Sequence, residues 1–477
     1  MGHEIRPDYN QIMMFPPCIE DWVGPDHPAR FIRDLVDSLD LDALGFRMPA
    51  TDVGRPGYAA DLLLMVWLYG YFSRIRSTRM LEKACRENMG LIWLTGMKVP
   101  DHNVLWRFLD ANRKAISQVF TQSVKVAVKC KMVGMAVHAM DGTKIRSCSS
   151  WDKMVKAEGL EKMQERLDRS AADFMTEVER QEREEMGEYK LPLGMHSALR
   201  RKEKIANALR ALEESEGERV HHCEPEARVM KHRRTLDLSY NGQAVADKES
   251  GIIVAAEVVN DASDNGQLVP MLDLVKENLG ATAEENLADG GYFCGSQIGL
   301  AEKRGYEVLV NAPSSESSAS RSSKTGVYHT NEFVYEAGRD CCICPHGIEL
   351  PYLTTKVRGR NKNAFRVYRC RKHRDCPYRS RCTKSKQGRE VEISVHHRAI
   401  ERQRAKRLVG ANKRLLSQRK AIIEPVFAWI KHHMGFTRWT VQGLEAVRTQ
   451  WALICTTINL MKLYKRWKTG GLQLAAR

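Results

Sequence analysis

Asn286-Leu287-Ala288-Asp289-Gly290-Gly291-Tyr292 reads as a short apolar strand that ends in a carboxylate, followed by glycines and an aromatic residue. An earlier apolar strand, Gly134 to Met140, ends the same way in Asp141-Gly142-Thr143-Lys144. In open α/β sheets, functional groups collect beyond the carboxyl ends of strands. Asp-Gly is also ordinary turn chemistry. Neither stretch decides by itself, so the surrounding elements carry the reading.

Strand one is expected over Met135–Met140, strand two over Leu238–Ala246 and strand three over Ile252–Val259. Asp247-Lys248-Glu249-Ser250-Gly251 suits a hairpin turn between the last two. A helix follows from Gln267 to Leu279, capped by Ser263 or Asp264, then the strand ending at Asp289. Ser296 caps a further helix to Lys303, and strand five is Tyr306–Val310. Three strands, helix, strand, helix, strand is the order of the ribonuclease-H-like fold. Strands one and four are parallel neighbours in that fold, which would set Asp141 and Asp289 side by side.

The formal charge is +16, and it is concentrated. Between Pro351 and Lys420, 23 Lys and Arg stand against 4 Asp and Glu, a net +19 that leaves the rest near −3. A solvated face usually interleaves both signs, whereas a one-signed stretch is the footprint of a nucleic-acid surface. Two strand-end aspartates in such a chain point to a divalent metal held against a phosphodiester. Hydrophobic residues make up 43%, enough for real cores, and no apolar run approaches the ~18 residues of a membrane span. The N-terminus lacks a basic segment with an apolar signal core, so the protein is expected to stay where it is made. The 13 cysteines have no regular spacing in a chain too large to need staples, which favours reduced thiols.

Residues from about Gly24 to Met132 read as helical. Ala29–Leu44 carries Phe31, Leu35 and Leu39 at helical spacing. Pro56-Gly57 punctuates, and Tyr58–Ile75 is a strongly apolar helix. Ser77 or Thr78 caps the next, which runs to about Leu94, and Asp101 caps another over His102–Arg113. The last runs to Lys131. Such a module suits either DNA reading or dimerisation.

Two insertions interrupt the sheet. Leu160, Met163, Leu167, Phe174 and Val178 are close to heptad spacing. Gly187, Pro192 and Gly194 break that helix, and Leu199–Leu212 returns, making a charged helical hairpin. The second insertion opens on Pro313-Ser314-Ser315-Glu316-Ser317-Ser318, linker chemistry, and runs to about Arg414. Inside it, Cys344, Cys370, Cys376 and Cys382 offer a tetrahedral zinc set, with Cys341, Cys342, His346 and His373 as spare donors. Free thiols are the alternative. Strand-like segments, Glu332–Tyr335 and Phe365–Tyr368, flank the cluster, and zinc would supply the core that this basic insertion lacks.

A third carboxylate is expected after the insertion, and Glu424 is the candidate. Ile423, Val426, Phe427, Ile430 and Met434 share one face of a helix over Lys420–Met434, and Lys431 lies two turns beyond Glu424. Pro425 disfavours helical geometry at Glu424, so either the helix starts there or a kink presents the acid. Leu444–Lys462 is a long apolar helix expected to cover the sheet.

Taken together these stretches resemble a bacterial insertion-sequence transposase of the DDE type. The likeness lies in Gly54-Arg55-Pro56 through Arg76-Ser77-Thr78-Arg79-Met80-Leu81-Glu82, in Met140-Asp141-Gly142-Thr143-Lys144 and in Ala288-Asp289-Gly290-Gly291-Tyr292. Glu424-Pro425-Val426-Phe427 with Lys431 and Gly435-Phe436, and Cys376-Pro377-Tyr378-Arg379-Ser380-Arg381-Cys382, complete it. The resemblance implies that Asp141, Asp289 and Glu424 are an acidic triad for two Mg2+ or Mn2+ ions. Related transposases have Tyr and Arg seven and four residues before the Glu; here Ser417 and Lys420 stand there, and only Lys431, seven after it, matches fully. Lys420, Lys431, Arg371, Lys372, Arg379 and Arg381 are the candidate contacts to double-stranded DNA.

The implied architecture is α/β. A mixed ribonuclease-H-like sheet is flanked by helices, with an N-terminal helical domain over 1–132 for DNA binding or dimerisation. The first part of the core is 133–311 with the helical insertion 151–217, the basic Cys-rich insertion is 312–414, and the C-terminal helices 415–477 finish the core. The implied activity is DNA cleavage and strand transfer at element ends by a homodimer or higher oligomer in the bacterial cytoplasm, on the nucleoid. A metal-dependent nuclease on the same fold, or an inactive transposase-derived DNA-binding protein, are the alternatives.

Overall fold

The structure is a computed structural model describing residues 18–47, 57–184, 193–213, 219–232, 235–311, 328–358, 363–472 and 474. Gly54-Arg55-Pro56, the serine-rich linker, Gly187 and Pro192 lie outside the described residues, as do the side chains of Phe174 and Val178. The chain divides into two compact units, Met1–Cys130 with Glu445–Arg477, and Lys131–Leu444.

The first unit is helical: α1 (Pro28–Asp37), α2 (Ala60–Phe72), α3 (Thr78–Glu87), α4 (Met89–Thr95), α5 (His102–Ala111) and α6 (Arg113–Lys129). Helix α2 is apolar all round and buried all round, with Leu64, Val66, Trp67 and Leu68 in the core. Each such side chain is worth about 1.5–3 kcal/mol on full burial. The single helix expected to run to Leu94 is two. Asn88 ends α3 in extended geometry and caps α4, its side chain accepting from Leu91 N at 3.2 Å. Asp101 caps α5 as expected, accepting from Asn103 N and Val104 N.

The closing helix corrects an expectation. It belongs to the first, helical unit rather than to the unit of the sheet. Its Gln450 donates to Tyr71 Oη at 3.0 Å and its Asn459 to Ser123 Oγ at 3.2 Å. Its Tyr464 ring meets Phe31. Apolarity announced that Leu444–Lys462 would be buried; only these buried polar pairs specify against what.

In the second unit the sheet strands are β1 (Val137–Arg146), β4 (Arg228–His232), β5 (Thr235–Asp247), β6 (Ile253–Val259), β7 (Glu285–Ala288) and β8 (Val308–Val310). The two-residue β2 (Met154–Val155) and β3 (Val220–His221) pair at the foot of the helical insertion. The order β6-β5-β1-β7-β8, antiparallel between β6, β5 and β1 and parallel from β1 to β8, is the ribonuclease-H-like arrangement. Strand β4 adds to the same edge of β5 as β6. The hairpin turn is held by Asp247, whose carboxylate accepts from Ser250 N and Oγ, both at 2.7 Å. Helices α9 (Leu268–Leu279) and α10 (Gly295–Lys303) follow their strands. Neither Ser263 nor Asp264 caps α9, which starts after Gln267 with no side-chain cap, and Cys294 rather than Ser296 precedes α10.

The helical insertion is α7 (Ala157–Glu184) and α8 (Leu193–Glu213), sharing a small core of Leu160, Ile205, Ala208 and Val220. Gly194, read as a breaker, lies inside α8.

The second insertion is a five-stranded antiparallel meander, β9 (Val334–Glu336), β10 (Cys341–Ile343), β11 (Glu349–Arg358), β12 (Asn363–Arg369) and β13 (Glu390–Ser394), with the short α11 (Arg379–Cys382). It has an apolar core of its own, Phe333, Cys342, Leu350, Tyr368, Cys370 and Val391. The expectation that it needs zinc for a core is therefore corrected. The basic run also leaves the insertion earlier than Arg414. Helix α12 (His397–Leu408) lies along β8, where Gln403 Nε2 donates to Val308 O at 2.8 Å and Gln403 Oε1 accepts from Val310 N. The open edge of the sheet is thereby covered. Helix α13 (Gly410–Ala428) packs on β1, β5 and β7 and runs into a π turn, Trp429–His433, before α14 (Leu444–Lys468).

Candidate active site

Asp141 does not end its strand. β1 continues to Arg146 because Thr143 and Ile145 keep its buried alternation, paired throughout with β5. What ends near Asp141 is the strand on its other side. β7 pairs Val137↔Glu285, His138↔Asn286 and Ala139↔Leu287 and stops at Ala288. Asp141 thus has no parallel partner beside it at the point where its neighbour leaves the sheet, and Asp289 is the first residue beyond that neighbour.

Both carboxylates are held by local backbone. Asp141 Oδ1 accepts from Gly142 N at 2.8 Å, and Asp289 Oδ1 accepts from Gly291 N at 2.8 Å, capping the one-turn helix Gly290–Tyr292. The other oxygen of Asp141 accepts from Arg419 Nη1 on α13 at 2.9 Å, and the Arg419 side chain is only 7% exposed. Burial pushes the Asp141 carboxyl above its ordinary value; Arg419 opposes that shift and the nearby Asp289 adds to it. Two like charges share one low-dielectric corner, with a guanidinium as their counterion.

Glycine follows each aspartate for want of space. A Cβ on Gly142 would stand 2.5 Å from both Asp264 Oδ1 and Gln243 Nε2. One on Gly291 would stand 2.9 Å from Asp289 Oδ1 and 3.1 Å from Asp264 Oδ2. Neither glycine has positive φ, so close approach rather than turn geometry requires them.

Asp264 is therefore at the site, although its residue type and place had suggested a helix cap. Its Oδ1 accepts from Asn241 Nδ2 at 2.8 Å and Gln243 Nε2 at 2.6 Å. Gln243 Oε1 in turn accepts from the fully buried Tyr292 hydroxyl. The signal for this network was present in the sequence as Asn241 and Gln243, which continue the polar alternation of Thr235, Asp237 and Ser239 into the buried part of β5. Arg419 carried none, being one cation in a long basic run.

Glu424 is not gathered with the two aspartates. It lies on the exposed face of α13 beside Lys420, while Arg419, Ile422, Ile423, Val426 and Phe427 face inward. Pro425 neither starts this helix nor follows a break. It sits inside it, and the π turn that contains Lys431 comes directly after. Among the described residues, no three His, Cys, Asp or Glu side chains are gathered as a metal-holding group. That covers the triad and the thiols alike.

In the insertion, Cys370 is buried and Cys344 and Cys382 pack against the same core. Cys344 Sγ accepts from His346 N at 3.4 Å and Ile348 N at 3.3 Å, and the His346 ring stacks on Tyr378 at 3.4 Å. The loop of Cys344 thereby meets the loop between Cys376 and Cys382. Arg371, Lys372 and Arg381 are exposed and Arg379 is half-buried; the Arg381 guanidinium lies 5.4 Å from the Tyr328 ring centre.

Residues 343–464 match the family described as transposase DDE domain, and residues 17–111 match the transposase domain DUF772. Both findings are consistent with an insertion-sequence transposase of the DDE type. The first match includes Glu424, Lys431 and the cysteine cluster; Asp141 and Asp289 precede it. No curated protein matches the chain. Among the described residues, no helix is long and apolar enough to cross a membrane.

Proposed function

We propose that this protein cuts DNA at the ends of an insertion sequence and joins those ends to a target, with Asp141, Asp289 and Glu424 as its acidic triad. The observation that carries the reading is the juxtaposition of Asp141 and Asp289 at the open corner between β1 and β7. The two transposase matches support it from both ends of the chain. Glu424 enters from the resemblance and from its place on the helix packed over that corner.

The donor set fits a hard divalent cation, since it consists of carboxylate oxygens, and Asp141 already holds a cationic group in Arg419. Asp141, Asp289 and Glu424 would hold Mg2+ or Mn2+, two ions in this reading; when bound, such ions supply Lewis acidity and lower the pKa of a nucleophile. The protein's own contribution is orientation. Gly142 N and Gly291 N fix one oxygen of each aspartate. Arg419 screens the Asp141 charge from Asp289. Lys420, Lys431, Arg371, Lys372, Arg379 and Arg381 would bind DNA phosphates, which position the duplex without reading its sequence. A homodimer or higher oligomer on DNA, in the bacterial cytoplasm, belongs to the same reading. So does one structural Zn2+ on Cys344, Cys370, Cys376 and Cys382, supported by the N–H···S bonds to Cys344.

The test is incubation of the full chain with DNA carrying its own flanking genomic ends, a target plasmid and Mg2+. Joined products are expected. Cut but never joined products favour the nuclease, and binding without either favours the inactive form.

A further inference from the structure

We infer that Asp264 is a positioning residue of this site, which holds the Asp289 turn against β5 beside β1 and lends its charge to the retention of a divalent cation. This rests on the assignment of Asp141 and Asp289 proposed above. Asp264 lies in the loop between β6 and α9, far in sequence from both. Its Oδ1 is saturated by Asn241 and Gln243, residues of β5 that stand opposite Lys144 and Gly142 in the β1 register. Its Oδ2 has no hydrogen-bond donor among the described residues and lies 3.1 Å from where a Cβ of Gly291 would stand. The chain Tyr292 Oη, Gln243, Asp264 thus returns to its own starting turn and ties that turn to β5, the strand paired with the one that carries Asp141.

A second observation makes this more than a crowd of acids. Asn241 is 1% exposed, and its Oδ1 is a buried acceptor without a partner. It is aimed at the same corner, 2.9 Å from the Cβ position of Gly142. Buried polar atoms are normally satisfied. An acceptor without a donor beside a carboxylate oxygen without a donor, next to Asp141 and Asp289, is a surplus of oxygen ligands that a cation or its water shell would satisfy. Outer partners of this kind orient the ligands and tune the metal.

Asp264→Asn isolates the charge, because its amide oxygen still accepts from Asn241 and Gln243. Calorimetric titration of the full chain with Mn2+ alone reads the effect apart from catalysis. Asp264→Asn should weaken Mn2+ binding about 10-fold or more and raise the Mn2+ concentration for half-maximal cleavage by the same factor, at an unchanged melting temperature. Asp264→Glu, which restores the charge, should recover most of the affinity. Mn2+ affinity in Asp264→Asn equal to that of wild type overturns the inference, as does a loss that Asp264→Glu fails to recover at an unchanged melting temperature. Asp289→Asn run alongside separates the two claims. If it too binds Mn2+ and cleaves normally, the site assignment fails; if it alone loses both, only the role of Asp264 does.

Discussion

Arg419 Nη1 and Asp141 Oδ2 form an ion pair at 2.9 Å between the helix that carries Glu424 and the central strand of the sheet. Both partners are largely removed from water. The pair explains how two neighbouring aspartates are tolerated: a guanidinium supplies the positive charge that the corner requires.

Burial outweighs Arg419 in setting the Asp141 carboxyl, which is held above its ordinary value. A carboxyl raised on folding favours the native state while protonated, and that contribution is lost as pH rises through its folded value. Ionised Asp141 is therefore a cost at neutral pH. Asp141→Asn should melt at or above the wild-type temperature near pH ~7.5, with the difference closing toward pH ~4. Thermal melts at both pH values check this. A variant that melts well below wild type at neutral pH contradicts it.

Gly142→Ala forces a methyl into the space of Asp264 Oδ1 and Gln243 Nε2. Overpacking of this kind costs about 1–3 kcal/mol, and here it also displaces the Gln243–Asp264 bond that supports the Asp289 turn. Chemical denaturation should show that loss, together with the disappearance of cleavage. Full activity in Gly142→Ala would show that the close approach is dispensable.

The fold was largely legible because its strands and helices carry different periods, and their order admits few sheets. The two aspartates were legible as strand-end acids, though for a partly wrong reason. Asp141 meets the corner because β7 ends early, not because its own strand ends. Tertiary partners were not legible. The burial of Arg419 among 23 cations of similar appearance depends on which face of α13 meets the sheet. The apolar pattern of α14 did not say whether the sheet or the helical unit receives it. The core of the insertion was missed because Phe333, Leu350 and Val391 are scattered thinly through a basic sequence.

The basic insertion should bind DNA through phosphates. Each such contact contributes about 0.9 to the slope of log affinity against log salt. Replacing Arg371, Lys372 and Arg381 by Gln should flatten that slope by up to about three, measured by fluorescence anisotropy across a salt series. Substitution is preferable to deletion past Ser394, since Gln403 covers β8. An unchanged slope places the DNA elsewhere.

Protein purified without chelator or metal-affinity resin should contain about one zinc per chain by elemental analysis. The Cys376→Ser, Cys382→Ser double variant should lose it. Because the insertion has its own apolar core, the sheet should persist and only the loops of Cys344 and Cys376–Cys382 should become protease-sensitive. Zinc-free wild-type protein with those loops intact would sink the metal assignment.

The central claim is that Asp141 and Asp289 do the chemistry while the basic surface does the binding. Asp289→Asn keeps the shape of the residue and its bond from Gly291 N but removes a charge from the corner. The decisive measurement compares wild type and Asp289→Asn on labelled element-end DNA with Mg2+, resolving nicked, hairpin and joined products beside a binding curve. The expected result is loss of every cleaved and joined product with DNA affinity nearly unchanged. Products at near wild-type yield from Asp289→Asn would contradict the account.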